Sequence, residues 1–178
     1  ILTNDEEIAK TINKVVFPGI QGGPLMHIIA AKAVCFAEAL KPDFIDYQKQ
    51  VIANAQALSQ ELQMLGYTLV AKGTDNHLVI VDVKKSLGIT GKMAEEILDE
   101  VAITCNKNTV PFDSEKPMIT SGIRLGSPSV TTRGFKENEM RLVARLIDQA
   151  LRHRKQAEEL EKVKAQVLAL TKQYPIYQ

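Results

Sequence analysis

One arginine inside a short apolar run limits what this chain can fold into: Thr120-Ser121-Gly122-Ile123-Arg124-Leu125-Gly126-Ser127-Pro128. In an extended strand Ile123 and Leu125 turn to one face and Arg124 to the other. The run therefore reads as a half-buried strand with a cation on its open side. Glycines on both sides permit close approach of backbone or ligand, and Pro128 ends the strand. A guanidinium on a rigid strand suits bidentate capture of a carboxylate or phosphate. Taken alone, the run fits an arginine paired with a structural carboxylate better than a binding site.

The flanking sequence supplies helices. Val51, Ala55, Leu58, Leu62 and Leu65 recur at helical spacing from Tyr47 to Leu65, with Gly66 as the stop. Thr90 is a candidate cap for a helix through Val101 that buries Ala94, Ile97, Leu98 and Val101. A further helix from Phe135 or Lys136 buries Met140, Val143, Leu146, Ile147 and Ala150, and a last one spans residues 157–170. Strands are expected over 67–70, 77–83 and 102–105, the first two as an antiparallel pair joined by a turn at 72–76. Asn106–Lys116 reads as a polar loop. Short strands with helices of this length predict an α+β layer, with helices mainly on one face of a small mixed or antiparallel sheet.

The first 43 residues read differently. Thr3 or Asn4 caps a helix over 5–14, and Pro18-Gly19-Ile20-Gln21-Gly22-Gly23-Pro24 is a dense turn signal. From Pro24 to Leu40 a helix is apolar nearly all round, which predicts burial between two layers. Lys41-Pro42-Asp43 breaks it, dividing the chain into residues 1–43 and 44–178. Ile1-Leu2 has strand character with no initiator Met, so the sequence reads as part of a longer protein.

Charge and composition exclude several classes. With 22 basic and 21 acidic residues there is no bulk field for nucleic acid or anionic membrane. No apolar stretch is long enough to span a bilayer, and no secretory signal is visible. Cys35 and Cys105 lack metal-ligand spacing and fit free thiols, so a cytoplasmic location is the default. His27 and His153 have no ligand-rich neighbours, and Asp75-Asn76-His77 reads as an Asx turn. The basic run Arg152-His153-Arg154-Lys155 lacks the aromatic residues that stack on bases.

Two further segments carry possible chemistry. The loop Gly19–Pro24 leads into a helix, so its N–H groups and the helix start suit a phosphate. It lacks P-loop and dinucleotide spacing, and in isolation a simple turn is the better reading. Asn106-Lys107-Asn108 offers paired amides matching the edge of a heterocycle, or equally a polar loop tip. Arg133, in Thr131-Thr132-Arg133-Gly134-Phe135, is a helix-entry residue or a second anion contact.

In combination, Phe17–Pro24, Gly73-Thr74-Asp75-Asn76-His77-Leu78, Asn106-Lys107-Asn108, Ser121–Pro128, Arg133-Gly134-Phe135 and Tyr174-Pro175-Ile176-Tyr177 resemble, in order and spacing, the C-terminal part of serine hydroxymethyltransferases. The resemblance covers essentially the whole chain. It implies the aspartate-aminotransferase-like fold (fold type I) of pyridoxal-phosphate transferases. Residues 1–43 would then end the large cofactor-binding domain, and 44–178 would form the C-terminal small domain. It implies interconversion of serine and glycine with transfer of a one-carbon unit to tetrahydrofolate, in a homodimer or dimer of dimers. Arg124 would bind the substrate carboxylate, Gly22 and Gly23 the pyridoxal 5'-phosphate phosphate held by the neighbouring subunit, and Asn108 the folate. Arg133 matches a family arginine near the active site. The Thr-His-Lys-Thr segment with the Schiff-base lysine does not occur in these 178 residues. The chain by itself is therefore expected to be inactive and to hold no cofactor. Alternatives are the small domain of another fold type I enzyme, an aminotransferase or an acyl-CoA-dependent synthase, and a non-catalytic interaction domain binding RNA through its basic C-terminal helix.

Overall fold

The computed structural model describes residues 1–176 and divides the chain into two compact units, Ile1–Phe44 and Ile45–Gln178. In the first, α1 spans Glu6–Lys14. Its cap is Asp5 rather than Thr3 or Asn4: Asp5 Oδ1 accepts from Ile8 N at 3.0 Å. The chain then kinks within Val15–Ile20, where Phe17 is extended (φ −136°, ψ 123°), and the glycine loop leads into α2, Met26–Ala39. The expected burial of this helix is not found. No residue of α2 is buried, and Ile28, Ile29, Val34 and Phe36 are all exposed. A helix apolar all round needs neighbours on every side, and the short elements of this unit do not surround it.

α2 ends at Ala39, as the break at Lys41-Pro42-Asp43 predicts, and Pro42 also opens α3, Pro42–Met64, which starts five residues earlier than the periodicity predicts. Proline at a first turn loses no intrahelical bond, so the residue that cannot continue α2 can start the next helix. Gly66 stops α3 at a positive φ of 90°, with Tyr67 N donating to Leu62 O.

The second unit is built on one antiparallel sheet of order β1-β2-β4-β3: β1 Thr68–Leu69, β2 Leu78–Asp82, β3 Asn106–Asn108 and β4 Gly122–Gly126. β1 and β2 pair as expected, with Leu69 opposite Val81. Between β2 and β3 lie α4, Val83–Leu87, and α5, Gly91–Glu100, which Thr90 caps by accepting from Met93 N. After β4 come α6 (Pro128–Thr132), α7 (Glu137–Arg152) and α8 (Ala157–Gln173). Val79, Val81, Ile123 and Leu125 turn to one face and are buried with Leu58 and Leu62 of α3, Ala94 and Leu98 of α5, Ile147 and Leu151 of α7, and Val163 of α8. Alternation is the cause: the residues between them, Ile80 and Arg124, point the other way. Burying one such aliphatic side chain contributes about 1.5–3 kcal/mol.

The strand predicted over 102–105 lies instead at Asn106–Asn108. Ala102 has φ 62° and closes α5, with Ile103 N bonded to Leu98 O, so pairing starts only where Asn106 comes opposite Arg124. The polar loop tip is therefore a strand at its first three residues.

Polar groups fasten β4 and α6 to α3. Ser127, fully buried, donates from Oγ to Val51 O at 2.7 Å. Buried Asn54 donates to Thr131 Oγ1 and Phe135 O, both at 2.8 Å. These bonds satisfy the polar atoms of a chain reversal inside the core. The arginine strand is thus held at its far end by the longest helix.

Candidate functional site

The open face of the sheet brings two of the expected site residues together. In the β3–β4 register Asn106 is opposite Arg124 and Asn108 opposite Gly122, while Ile80 flanks Arg124 on the β2 side. Paired residues share a face, so the Arg124 side chain and both amides line the same surface, away from the helices. Arg124 is exposed between two buried neighbours. Among the described residues its guanidinium has no hydrogen-bond or ion-pair partner. The structural ion pair favoured for the isolated run is not present there. Asn108 donates from Nδ2 to Thr109 O at 2.7 Å, leaving its carbonyl oxygen open.

Close packing fixes this corner. A Cβ on Gly122 would lie 2.8 Å from Val81 O, 2.8 Å from Val110 Cγ1 and 3.0 Å from Asn108 O. Gly126 differs: the nearest atom to a Cβ there is 3.6 Å away. Of the two glycines bracketing Arg124, only the first is required by its surroundings.

Two carboxylates not singled out in the sequence hold the strand that carries the amides. Glu95 of α5 accepts from Lys107 N through Oε1 and from Lys107 Nζ through Oε2, both at 2.9 Å. The hydrogen bond from the Lys107 side chain, with that from its backbone, holds the Glu95 carboxyl below its ordinary value. Asp113, in the β3–β4 connection, accepts four hydrogen bonds: Oδ1 from Glu115 N and Ser121 Oγ, Oδ2 from Val110 N and Ser121 N. Desolvation works to raise its pKa, but these four donors outweigh it and hold the carboxyl well below the usual carboxylate range. An acidic residue in a polar loop carries no sequence signal of such a role.

Arg133 stands apart from that face. Its Nε donates to Tyr174 O and its Nη2 to Thr171 O, both at 2.8 Å, closing the C-terminus of α8. Tyr174 stacks edge-on against Phe135 with ring centroids 4.8 Å apart; Tyr177 lies outside the described residues. An apolar cavity of about 470 Å³ beside Arg133 and Phe135 is lined by none of Arg124, Asn106 and Asn108.

Gly22 and Gly23 belong to the first unit. Both are exposed, and a Cβ on either would meet nothing within 4 Å. The loop enters α2 through Leu25, which gives no side-chain cap; Ile28 N and Ile29 N donate to Leu25 O, which leaves the Met26 and His27 N–H groups open to an anion.

The remaining polar motifs are structural. Asn76 Oδ1 accepts from Leu78 N at 2.9 Å and His77 O from Ser127 N at 3.1 Å, an Asx turn packed against the end of β4. In the basic run, Arg152 donates to Asp148 and Leu65 O and covers the Tyr67 ring at 5.9 Å, while Arg154 donates to Leu151 O. Burial, with the Glu95 and Asp99 carboxylates nearby, pushes the Cys105 thiol up to about 12. Such a thiol is no nucleophile at neutral pH. Among the described residues no group of three metal-ligating side chains is assembled, and no helix is long and apolar enough to cross a membrane.

The family model of serine hydroxymethyltransferase matches residues 3–147, a span that includes the glycine loop, the whole sheet and the Arg124 strand. On that match over most of its length, the chain belongs to the serine hydroxymethyltransferase family.

Proposed function

We propose that this chain supplies the substrate-carboxylate and folate contacts of a pyridoxal-phosphate-dependent hydroxymethyltransferase that interconverts serine and glycine using tetrahydrofolate. The observation that carries the proposal is the unpartnered Arg124 guanidinium on the open sheet face, in register with Asn106 and next to Asn108. A fork of donors without a protein acceptor, on a strand gripped from both sides, is preorganised for a carboxylate. The amides beside it present donors and acceptors suited to a heterocycle edge, which favours Asn108 as the folate contact. Arg133, tied to the end of α8, supports the site through position rather than by touching substrate.

The exposed backbone at Gly22-Gly23, with uncapped N–H groups after it, fits a phosphate group. Bound there, pyridoxal phosphate supplies the electron sink for the bond broken at the amino acid. In this assignment the two glycines hold the phosphate of a cofactor shared with a second copy, and the open apolar surface of α2 is what that copy covers in a homodimer or dimer of dimers. The residues 1–43 would belong to the large domain and 44–178 to the small domain of a cytoplasmic enzyme. None of the 178 residues is assigned the Schiff-base lysine, so activity is proposed for the complete protein and not for this chain alone.

Arg124→Ala in the complete, cofactor-loaded protein tests the proposal. A charge-assisted hydrogen bond contributes about 1.5–3 kcal/mol, so serine affinity should fall by roughly ten- to 150-fold while the cofactor is retained. Unchanged serine affinity would overturn the assignment.

A further inference from the structure

We propose that Asp113 is a positioning residue for the Asn108 side of the site, acting by closing the β3–β4 connection directly at the Asn108–Gly122 pair; the role rests on the reading of Asn108 as a folate contact. Its four donors come from three places. Val110 N lies two residues after Asn108, and Ser121 N and Oγ lie one residue before Gly122, with distances of 3.1, 2.9 and 2.6 Å. The fourth, Glu115 N at 2.9 Å, folds the connection back on itself. One carboxylate therefore joins both ends of the loop where it leaves β3 and enters β4.

The backbone around it requires such a tie. Phe112 and Thr120 both have φ 57°, a left-handed conformation that residues other than glycine seldom adopt. Strained residues of this kind persist only when their surroundings over-determine them. Here the surroundings are Asp113 next to Phe112, and Ser121 with Thr120 at the other end. Thr120 O accepts from Gly91 N at 2.8 Å, and a Cβ on Gly91 would fall 2.1 Å from Thr120 Oγ1. Lys84 Nζ adds bonds to Ser114 and Glu115. All the donors to Asp113 are internal, so it holds the loop and does not contact substrate.

Arg124 does not depend on this closure to the same degree. It lies two residues further along β4, paired with Ile80 on one side and Asn106 on the other. Loss of the Asp113 tie is expected to loosen Asn108 while the carboxylate anchor stays in place. Asp113→Asn is the minimal perturbation. Each carboxylate oxygen takes two donors, and at least one on each side is a backbone N–H. Whichever way the amide turns, its NH2 group faces an N–H.

The experiment is calorimetric titration of the complete, cofactor-loaded protein with serine, and separately with 5-formyltetrahydrofolate in the presence of glycine. Asp113→Asn should weaken folate binding by about tenfold with serine affinity within about twofold of the parent. Ser121→Ala, which removes only the 2.6 Å donor, should move folate affinity the same way by a smaller factor and serves if Asp113→Asn does not fold. Parallel losses of serine and folate affinity, or unchanged folate affinity in these variants, overturn the positioning role. Asn108→Ala separates the two ideas. If it weakens folate while Asp113→Asn and Ser121→Ala do not, only the role of Asp113 falls. If it leaves folate affinity unchanged, the folate contact itself falls and the Asp113 role with it.

Discussion

Substitution of Gly122 by alanine tests the packing that sets Asn108 beside the arginine strand. The new Cβ would sit 2.8 Å from Val81 O on one side and 3.0 Å from Asn108 O on the other, with Val110 Cγ1 at 2.8 Å. Both carbonyls are backbone atoms of neighbouring strands, so relief requires parting β4 from β2 and β3 together. Overpacking of this kind costs about 1–3 kcal/mol, and each ladder hydrogen bond stretched out of range adds about 0.5–1.5 kcal/mol. Against that, replacing glycine lowers the entropy of the unfolded chain and returns about 0.4–1 kcal/mol. Net destabilisation of about 1–3 kcal/mol follows, or roughly 2–12 °C in Tm for a chain of this size. Gly126→Ala is the internal control. Its Cβ has 3.6 Å of clearance and a backbone outside the left-handed region, so it should be neutral or slightly stabilising. Urea unfolding followed by far-UV circular dichroism gives both numbers. A Gly122→Ala chain as stable as Gly126→Ala would refute the close-approach account of this corner.

Other outcomes follow from the same geometry. Arg124→Lys in the complete protein should not restore the serine affinity lost in Arg124→Ala, because an ammonium lacks the guanidinium fork; near-parental titration would contradict this. Leu98→Ala, at a fully buried position on α5, should cost about 2–5 kcal/mol in the same urea assay. Asp113 has a lowered pKa in the fold, so its contribution is fully present above the unfolded value of about 3.9 and is lost as pH falls through the folded value. Asp113→Asn should therefore reduce the parent's stability advantage at pH 7 and flatten its decline below about pH 4. Thiol labelling at pH 8 should modify half-buried Cys105 far more slowly than in the urea-unfolded chain, since its pKa is pushed up to about 12; equal labelling rates in the native and unfolded states would contradict this.

The parts of this fold that were legible beforehand are those set by local periodicity. The alternation Ile123-Arg124-Leu125 predicts one buried and one open face, and the strand has them. Thr90 before an amphipathic run predicts a cap, and its hydroxyl accepts the expected N–H. What escaped depends on partners distant in sequence. Asn106-Lys107-Asn108 has no strand propensity; it is a strand because Arg124 offers a ladder and Glu95 pins Lys107 from below. Pro42 breaks α2 as read, but the start it gives α3 lies outside the apolar periodicity that begins near Tyr47. The apolar circumference of α2 predicts burial between two layers, and the unit Ile1–Phe44 does not provide it. Arg133 offered an anion contact by type alone, whereas the C-terminal end of α8 takes up its guanidinium. The exposed position of Arg124 on β4 was readable from its bracketing residues, while the carboxylates Glu95 and Asp113 that hold the neighbouring strand and loop were not.

Serine binding to the complete, cofactor-loaded protein with and without Arg124 is the most direct test of the central claim. Isothermal titration should give a dissociation constant raised roughly ten- to 150-fold in Arg124→Ala, with bound cofactor absorbance equal to that of the parent. Equal serine affinity in the two proteins, at equal cofactor content, would contradict the assignment of the open sheet face as the carboxylate site.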